Sequence, residues 1–587
     1  MKSALPVLIR RTCLMTCCCL LLTACDKQQT DTSALEGEAN QLGVVIYSAS
    51  TIITMDEENP RAEAVSVADG RVLSVGSLAE VSAAHPGATV DERFADKVLI
   101  AGFIDQHIHP FLAALTLTSH VVSIEEWVLP EVVYPAARDA GEYLSLLQAA
   151  ERSMPADDTP LISWGYHHYF HGDLSREILD SISSTRPIII WHRSAHEFYV
   201  NSPALAAIGV TQATVAGQPR EIKAQMDFQS GHFWERGAFE FLLPYIMPML
   251  AAPERFHAGL TLLEQYLHSS GVTVSAEPGG SADYYEAYNR VLGDPATPFR
   301  FYFIPSVRSA DLARWGDALV AETEAVAAPV TSNTGPLRGH VKLFSDGAMF
   351  SQLMQMQDGY DDGHHGEWLT PPDDFARLFE IFWDAGYQIH IHQNGDEGLE
   401  MVLDSLSENQ QRKPRDDHRT TIVHFGFAKA EQVTRLAELG AIVSANPYYT
   451  IALSDRYGEI GIGTERADQM VRLGDVARAG MSFSFHSDMP MAPARPLFLV
   501  WTAVNRVTPS SRVAGPEQRV SVEDALAAVT IEAAYSLRLE NEIGSITPGK
   551  RANFTILEED PFVVDPMSIK DLVVLGTVFE GSVKLTQ

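Results

Sequence analysis

Short apolar runs typical of strands alternate with helical stretches through most of this 587-residue chain. A helical stretch over residues 375–385 precedes the run 388–392, and another over residues 430–439 precedes the run 441–444. Alternation of this kind indicates parallel βα units. A doubly wound sheet and a closed barrel both satisfy it, so the choice between them depends on what stands at the strand ends.

Polar side chains stand at the ends of five of these apolar runs. His107 and His109 are two residues apart, hence on one side of a strand, where both can reach one metal. Lys342 alternates with Val341 and Leu343, so its amine faces away from their apolar side. The other candidates of this kind are His392, His424 and Asp488.

Each of these residues also has an ordinary structural explanation. A surface position explains a lysine, a hydrogen-bonded core position explains His392 and His424, and a helix N-cap explains Asp488. Six such groups at strand ends seldom occur together by chance, and barrel enzymes collect catalytic groups at the carboxyl ends of their strands. We therefore predict an α/β fold, a (β/α)8 TIM-type barrel, with a metal site at that end.

The two ends of the folded chain have a different pattern. Residues 42–98 and 540–587 contain short β-branched runs next to turn pairs such as Asp69-Gly70 and Pro548-Gly549. They predict one small β-sandwich built from both ends, with the barrel over residues 99–539 and an insertion near 125–330. Trp164 and Tyr166 belong to an aromatic cluster in that insertion, which either covers the barrel mouth and contacts substrate or is simply core.

The first 25 residues have the pattern of a bacterial export signal. Lys2, Arg10 and Arg11 precede an uncharged stretch that is too short to span a bilayer. Its end, residues 22–25, resembles a lipobox, which predicts lipidation of Cys25 after cleavage; an ordinary signal peptide or an uncleaved anchor is the alternative. The other cysteines, Cys13, Cys17, Cys18 and Cys19, would be removed, which excludes a disulfide or a cysteine nucleophile.

Residues 26–41 are polar and without apolar periodicity, so we expect a flexible tether between the lipid and the folded domain. Asp26 directly follows the lipobox cysteine and resembles the signal that holds some lipoproteins at the inner membrane. The expected location is therefore the bacterial cell envelope, lipid-anchored at the periplasmic face of the inner membrane. The formal net charge of −33 argues against nucleic acid as a partner and favours a small neutral or cationic substrate.

The order of these motifs resembles the signature of the amidohydrolase superfamily over nearly all of the exported chain. Further segments resemble its amidohydrolase-3 branch, which includes N-substituted formamide deformylases: residues 164–166, 186–188, 196–205, 271–273, 342–347 and 544–550. Two positions depart from the branch. The turn after His392 is Gln393-Asn394 where apolar residues are common, and Asn553 replaces a frequent aspartate.

This resemblance implies the roles of the site residues. It makes His107, His109 and Asp488 ligands of one metal and His392 and His424 ligands of a second, with Lys342 bridging them as a carbamate. It also adds His196 to Trp164 and Tyr166 as a substrate-binding residue. Ligands of imidazole and carboxylate without thiolate suit zinc, so two zinc ions per chain are expected, although manganese, iron or nickel fit such a site too.

The expected reaction is hydrolysis of a non-peptide C–N bond in a small-molecule amide. A metal-bound water ionises near neutral pH, and Asp488 is the candidate to take its proton and return it to the leaving nitrogen. The same centre also suits an ester, lactone or phosphoester. A lipoprotein that binds metal or ligand without turnover is the alternative outside enzymes, although the carboxylate suited to proton transfer counts against it. The pattern says nothing of an oligomer.

Overall fold

The structure, a computed structural model, describes residues 43–280, 282–326 and 330–586. The predicted signal peptide, the lipidated Cys25 and the predicted tether lie outside these residues. Within the described ranges, no helix is both long enough and apolar enough to cross a membrane.

Strands from both ends of the chain lie in one seven-stranded sheet. The strand Thr89–Ala101 joins the two ends, because it pairs in parallel with Val45–Ile53 and antiparallel with Phe554–Leu557. A single cluster of buried apolar side chains, which includes Ile52, Leu99 and Phe554, packs against this sheet. In spatial order its strands are Ser582–Leu585, Val574–Phe579, Phe554–Leu557, Thr89–Ala101, Val45–Ile53, Arg61–Ala68 and Arg71–Gly76. The sandwich arrangement stays a prediction.

Two parallel sheets occupy the middle of the chain. The four-stranded sheet consists, in spatial order, of Thr334–Pro336, Arg300–Ile304, Val272–Pro278 and Phe103–Asp105. The five-stranded sheet runs in chain order through His340–Phe344, Gln388–Gln393, Thr421–His424, Ile442–Ala445 and Phe483–Phe485. Every neighbouring pair in both sheets is parallel. The predicted α/β fold with parallel βα units is therefore confirmed.

The edges of these two sheets also touch each other. A parallel bridge joins Ser306 to Lys342 at one side, and another joins Ile108 to Met489 at the other. At the second junction the backbone N–H of Asp488 donates to the carbonyl of His107 at 2.9 Å. The carboxyl ends of the first and last strands thus meet.

The helix Pro372–Asp384 shows why the chain folds locally as the pattern predicts. It begins with a proline, which needs no hydrogen-bond partner there, and its first turn carries Asp373 and Asp374, which complement the helix dipole. Its apolar side chains recur every three or four residues and are buried against the five-stranded sheet. The strand Gln388–Gln393 follows directly. The second predicted helix is also present, as Ala430–Glu438 before the strand Ile442–Ala445.

The other α-helices are distributed over both halves of the chain. Those of the amino-terminal half are Leu78–Ala84, Pro110–Leu117, Ala140–Ser153, His168–His171, Arg176–Ile182, Ser202–Ala207, Gln212–Ala216, Arg220–Lys223, Leu243–Leu250, Pro253–Ser269 and Tyr285–Val291. Those of the carboxyl-terminal half are Ser309–Trp315, Leu319–Ala325, Asp396–Arg412, Tyr448–Glu459, Thr464–Asp468, Leu473–Arg478, Pro496–Asn505, Val522–Ala527 and Ile531–Ser536.

A separate six-stranded sheet forms most of the predicted insertion. Its strands, in spatial order, are Met226–Asp227, His232–Trp234, Glu197–Val200, Ile188–His192, Leu161–Tyr166 and His120–Val121, and the hairpin Trp127–Val128 with Val133–Tyr134 stands beside them. The strands Val272–Pro278 and Arg300–Ile304 fall within the predicted range of 125–330 but belong to the four-stranded parallel sheet, where Val272–Pro278 pairs with Phe103–Asp105 on one side and with Arg300–Ile304 on the other. Their periodicity alone could not assign them to a sheet, because strand pairing is non-local.

Candidate metal centre

The six predicted residues come together where the parallel strands end. His107 and His109 follow the strand Phe103–Asp105, and Asp488 follows the strand Phe483–Phe485. Lys342, His392 and His424 lie on the three strands that begin the five-stranded sheet. Because parallel strands present their carboxyl ends at one edge, residues far apart in the chain share this place.

The carboxylate of Asp488 lies at the centre of the cluster. Its Oδ1 is 3.4 Å from Nε2 of His107 and 3.2 Å from Nε2 of His109. Its Oδ2 is 3.5 Å from Nδ1 of His424. One donor atom from each of His107, His109 and Asp488 lies within 4.8 Å of the others, a spacing at which the three can hold one metal ion.

His392 and Lys342 complete the group on the side of the five-stranded sheet. The ring centroid of His392 is 4.6 Å from that of His424, and the rings meet edge to face. The side chain of Lys342 is buried, while Val341 and Leu343 pack into the apolar core on the other face of the strand. The predicted alternation of this strand is therefore confirmed.

Burial and positive charge together keep the imidazoles of the site neutral. Desolvation is the main reason that the pKa of His107, of His392 and of His424 falls well below its ordinary value. The nearby charge of Lys342 lowers each of these pKa values further. Neutral imidazole is the form that binds a metal, so the site is prepared for one.

The lysine itself is held in an unusual state. Burial lowers the pKa of Lys342 to about 7, against the opposing effect of the Asp488 carboxylate. Arg308 adds to the lowering. A large share of the amine is therefore uncharged near neutral pH.

Backbone conformation at the site is strained. His424 has a φ of 72° and Asp488 a φ of 56°, values in the left-handed region that residues with a side chain seldom adopt. Strain of this kind costs about 1–3 kcal/mol per residue and persists where the surroundings enforce it. At Asp488 the carboxylate of Asp105 supplies part of that constraint, since it accepts the Ser487 hydroxyl at 2.5 Å and the Ser487 N–H at 3.0 Å.

Several buried polar atoms of the cluster are left unpaired in the described part of the chain. Three buried atoms in the cluster have no hydrogen-bond partner among the described residues: Nδ1 of His107, Nζ of Lys342 and Oδ1 of Asp488. Unpaired buried polar atoms are costly, and three of them in one cluster require an explanation. Imidazole and carboxylate ligands without thiolate suit zinc or a similar divalent ion. The residues therefore fit such a metal.

His486 also belongs to this site, although the sequence analysis did not select it. Its Nε2 lies 3.1 Å from Nδ1 of His424, and its ring stacks on His107 at a centroid distance of 4.7 Å. Its Nδ1 is 2.9 Å from the hydroxyl of Ser444, which accepts from Gln106 at 3.0 Å. The available signal was its position two residues before Asp488, hence on the same side of the strand.

A buried arginine from the insertion holds the loop after Asp488. Arg193 donates to the carbonyls of Pro490 at 3.0 Å and Met491 at 2.8 Å. The same guanidinium donates to Oε1 of Glu125 at 2.6 Å and to the hydroxyl of Tyr448 at 3.2 Å. No sequence signal pointed to it, because its partners come from three distant segments.

The unusual turn after His392 also has a structural role. The amide of Asn394 lies 3.0 Å from Nε2 of His392 and donates to the carbonyl of Gly347. The buried carboxylate of Asp346 accepts the backbone N–H groups of Asn394 at 3.0 Å and of Gly395 at 2.7 Å. The amidohydrolase-3 branch, which this chain resembles, commonly has apolar residues in this turn. In this chain the polar side chain of Asn394 orients His392 instead.

The three predicted substrate residues lie at different depths. Trp164 is fully buried, where it packs edge to face on Trp127 and under the guanidinium of Arg193. Tyr166 is also fully buried, at the wall of an open groove, and its hydroxyl donates to the carbonyl of Gly172. His196 is half-buried, with Nδ1 3.1 Å from the carboxylate of Glu235. Substrate contact by these three stays a prediction.

Comparison with known proteins gives consistent matches over most of the chain. A family model described as "Amidohydrolase family" matches residues 95–584. The chain is 27% identical to an N-substituted formamide deformylase of Arthrobacter pascens, covering 91% of this chain and 96% of that protein. It is 25% identical to the putative amidohydrolase YtcJ of Bacillus subtilis (strain 168), covering 92% and 98% respectively.

A solved structure shares the fold. It is described as a metal-dependent hydrolase from Pyrococcus horikoshii OT3, and it superposes with a TM-score of 0.67 at 19% identity. The superposition covers 89% of this chain and 99% of that one.

Proposed function

Because the chain belongs to the amidohydrolase family, we propose that it hydrolyses a C–N bond, other than a peptide bond, in a small-molecule amide. One observation carries this proposal. A carboxylate, Asp488, lies within 3.5 Å of nitrogens of three histidines, His107, His109 and His424, at the ends of strands from both parallel sheets. That arrangement combines metal binding with a group suited to proton transfer.

We infer that the two parallel sheets are halves of one closed (β/α)8 barrel. The bridges Ser306–Lys342 and Ile108–Met489 join their edges on both sides. Eight of their strands then follow one another around a ring, with the short strand Thr334–Pro336 as an addition. The proposed active site stands at the carboxyl end of such a barrel, where barrel enzymes carry theirs.

The proposed ligand assignment is the one that the family resemblance implies, and the spacing of His107, His109 and Asp488 supports its first metal. His107, His109 and Asp488 would hold one metal, and His392 and His424 a second, with zinc favoured by the donor types. Lys342 would contribute after its neutral amine adds to carbon dioxide and loses a proton to give a carbamate, because a free ammonium repels metal ions. A divalent metal held here supplies Lewis acidity toward a carbonyl and lowers the pKa of a bound water to about 7.

The protein's own residues would transfer the proton and hold the site histidines in place. Asp488 would accept the proton of the attacking water and deliver it to the leaving nitrogen, a transfer that a carboxylate at this position can make in both directions. His486 would hold His424 in place through its Nε2, and Asn394 would do the same for His392.

The activity for which one relative is named narrows the choice of substrates to test. An N-substituted formamide deformylase removes a formyl group from a nitrogen, so N-formyl and N-acyl amines are the first substrates to test. The experiment is turnover of a panel of such amines by the purified, metal-loaded protein. Product amine should appear for at least one member of the panel, and esters, lactones and phosphoesters of the same shape serve as comparison.

The proposed carbamate gives a separate prediction. Lys342→Ala should lose about half of the bound metal and most of the turnover, and both should recover partly when formate or acetate is added to replace the missing carboxylate. Metal content measured by elemental analysis gives a readout that is independent of activity. The exposed Lys413 is the control, and Lys413→Ala should behave as wild type. Full metal content in Lys342→Ala would contradict the assignment.

We also propose that Cys25 carries a lipid that holds the protein at the periplasmic face of the inner membrane. The support is the lipobox-like residues 22–25, followed by Asp26. Cys25→Ala should move the protein from the membrane fraction to the soluble fraction without changing its turnover. Membrane association that is unchanged in this variant would refute the anchor, and recovery of wild type in the outer membrane would refute the location.

A further inference from the structure

An open groove lies between the insertion and the segment that follows the Lys342 strand. Its volume is about 570 Å³. Tyr166, Glu197 and Trp234 line it from the insertion, and Ser351 and Glu367 line it from the other side. The groove is thus formed jointly by the insertion and by the segment that follows the strand His340–Phe344.

The groove stands beside the proposed metal centre. The backbone N–H of Glu367 donates to the carbonyl of Leu353 at 2.8 Å, and the next residue, Trp368, bridges to Asp346 at the end of the Lys342 strand. Asp346 accepts the backbone N–H of Asn394 at 3.0 Å, and the amide of Asn394 lies 3.0 Å from Nε2 of His392. On the other side of the groove, His196 contacts Glu235 at 3.1 Å. A molecule bound in the groove can therefore extend toward the metal ligands.

Carboxylates dominate the charge of this groove. Four line it, namely Asp173, Glu197, Glu235 and Glu367, and among the described lining residues there is neither lysine nor arginine. Glu197 lies 2.8 Å from His232, and Glu235 lies 3.1 Å from His196. Even with both of these histidines protonated, the carboxylates of Asp173 and Glu367 leave the groove negative.

The titration of two groups agrees with this charge. Burial alone would raise the pKa of Glu197, but His192, His232 and His168 outweigh it and lower the pKa to about 2, so this carboxylate is ionised. Burial and the negative charge of Glu235 raise the pKa of Glu367, as expected for a carboxylate in a negative field.

Aromatic rings line the same groove. Tyr199 stacks on His232 at a centroid distance of 4.1 Å, and His232 stacks on Trp234 at 4.7 Å. Ring faces attract cations, and an ammonium group between carboxylates and aromatic rings gains from both. An anion is repelled by these carboxylates, and an apolar group gains nothing from them.

We propose that this groove binds a positively charged amine, and that the substrate is an N-acyl amine with an ammonium group at its far end. This inference rests on the proposed function and adds the substrate class to it. The ammonium would lie near Asp173 and Glu367, which have no ion-pair partner among the described residues. The amide would then point past His196 toward the metal ligands.

The test uses pairs of substrates that differ in charge alone. N-formyl-1,4-diaminobutane and N-formylpentylamine have nearly the same length, and diamines with two to six methylenes extend the series. The charged member should have a kcat/KM about tenfold higher, and Asp173→Asn with Glu367→Gln should reduce that ratio toward one. High salt should reduce it as well. The control, Glu408→Gln, changes an exposed carboxylate on the helix Asp396–Arg412 and should preserve the ratio.

A binding measurement separates this inference from the proposed function. Calorimetry with 1,4-diaminobutane on the metal-loaded protein should show binding that the Asp173→Asn/Glu367→Gln variant weakens by about tenfold. Equal turnover of charged and neutral members would overturn the groove assignment while the amide hydrolase stands. If no amide is turned over, the proposed function fails, and calorimetry decides the groove alone: no difference between variant and wild type would overturn it.

Discussion

Asp488→Asn is expected to lower kcat by about 10²- to 10⁴-fold, which corresponds to about 3 to 5 kcal/mol of barrier. Asparagine keeps the size of aspartate and one oxygen that can face His107 and His109, but it does not accept a proton at neutral pH. The variant should therefore retain most of its metal and lose the proton-transfer step. Steady-state turnover of the best N-acyl amine, together with elemental analysis, measures both properties.

The matched control for this variant is a nearby carboxylate outside the proposed proton path. Asp346 is buried and accepts backbone N–H groups at the turn after His392, so Asp346→Asn should affect stability and metal affinity more than the proton-transfer step. If Asp488→Asn bound its metals normally and turned over substrate at the wild-type rate, Asp488 would be at most a ligand. The proposed role in proton transfer would then be wrong.

Arg193→Met is expected to lower both the stability of the fold and kcat. Its guanidinium is fully buried, and its removal leaves Glu125 without its cation and the carbonyls of Pro490 and Met491 without a donor. Breaking a buried ion pair on one side costs about 3 to 5 kcal/mol of folding free energy. The loop that follows Asp488 should also lose its fixed position, which lowers kcat. The midpoint of urea unfolding and the turnover rate measure the two losses.

A double variant separates these two contributions. Arg193→Met with Glu125→Gln removes both buried charges, which is a milder change than removing one of them. Stability should recover for the most part, whereas kcat should stay low because the two loop carbonyls still lack a donor. Recovery of kcat along with stability would show that Arg193 serves the fold alone.

The sequence could predict the parts of the site that follow strand periodicity. Alternation along a strand predicted that His107 and His109 lie close together, as they do just after the strand Phe103–Asp105, and the same rule turned Lys342 away from the apolar core. Parallel strands then bring such residues to one edge, so that six positions spread over almost 400 residues meet. Local rules sufficed because each candidate ligand could be identified from the pattern of its own strand.

Contacts between distant segments could not be predicted in this way. Arg193 joins the insertion to the loop after Asp488, and no repeat or spacing in the sequence links these segments. The negative groove similarly depends on Glu197 and Glu367 facing each other across two parts of the chain. The strand-end motifs therefore predicted the candidate metal site but not the negative charge of the groove beside it.

Removal of the metal, followed by its stepwise return, tests most directly whether this strand-end site uses metal to hydrolyse an amide. The purified protein, freed of metal by a chelator, should have no turnover of N-acyl amines. Activity should return in proportion to added zinc and reach a plateau at about two metal ions per chain. His107→Ala should lower both the metal content and the plateau. A metal-free preparation with full activity, or a fully loaded protein that turns over no member of the panel, would contradict the claim.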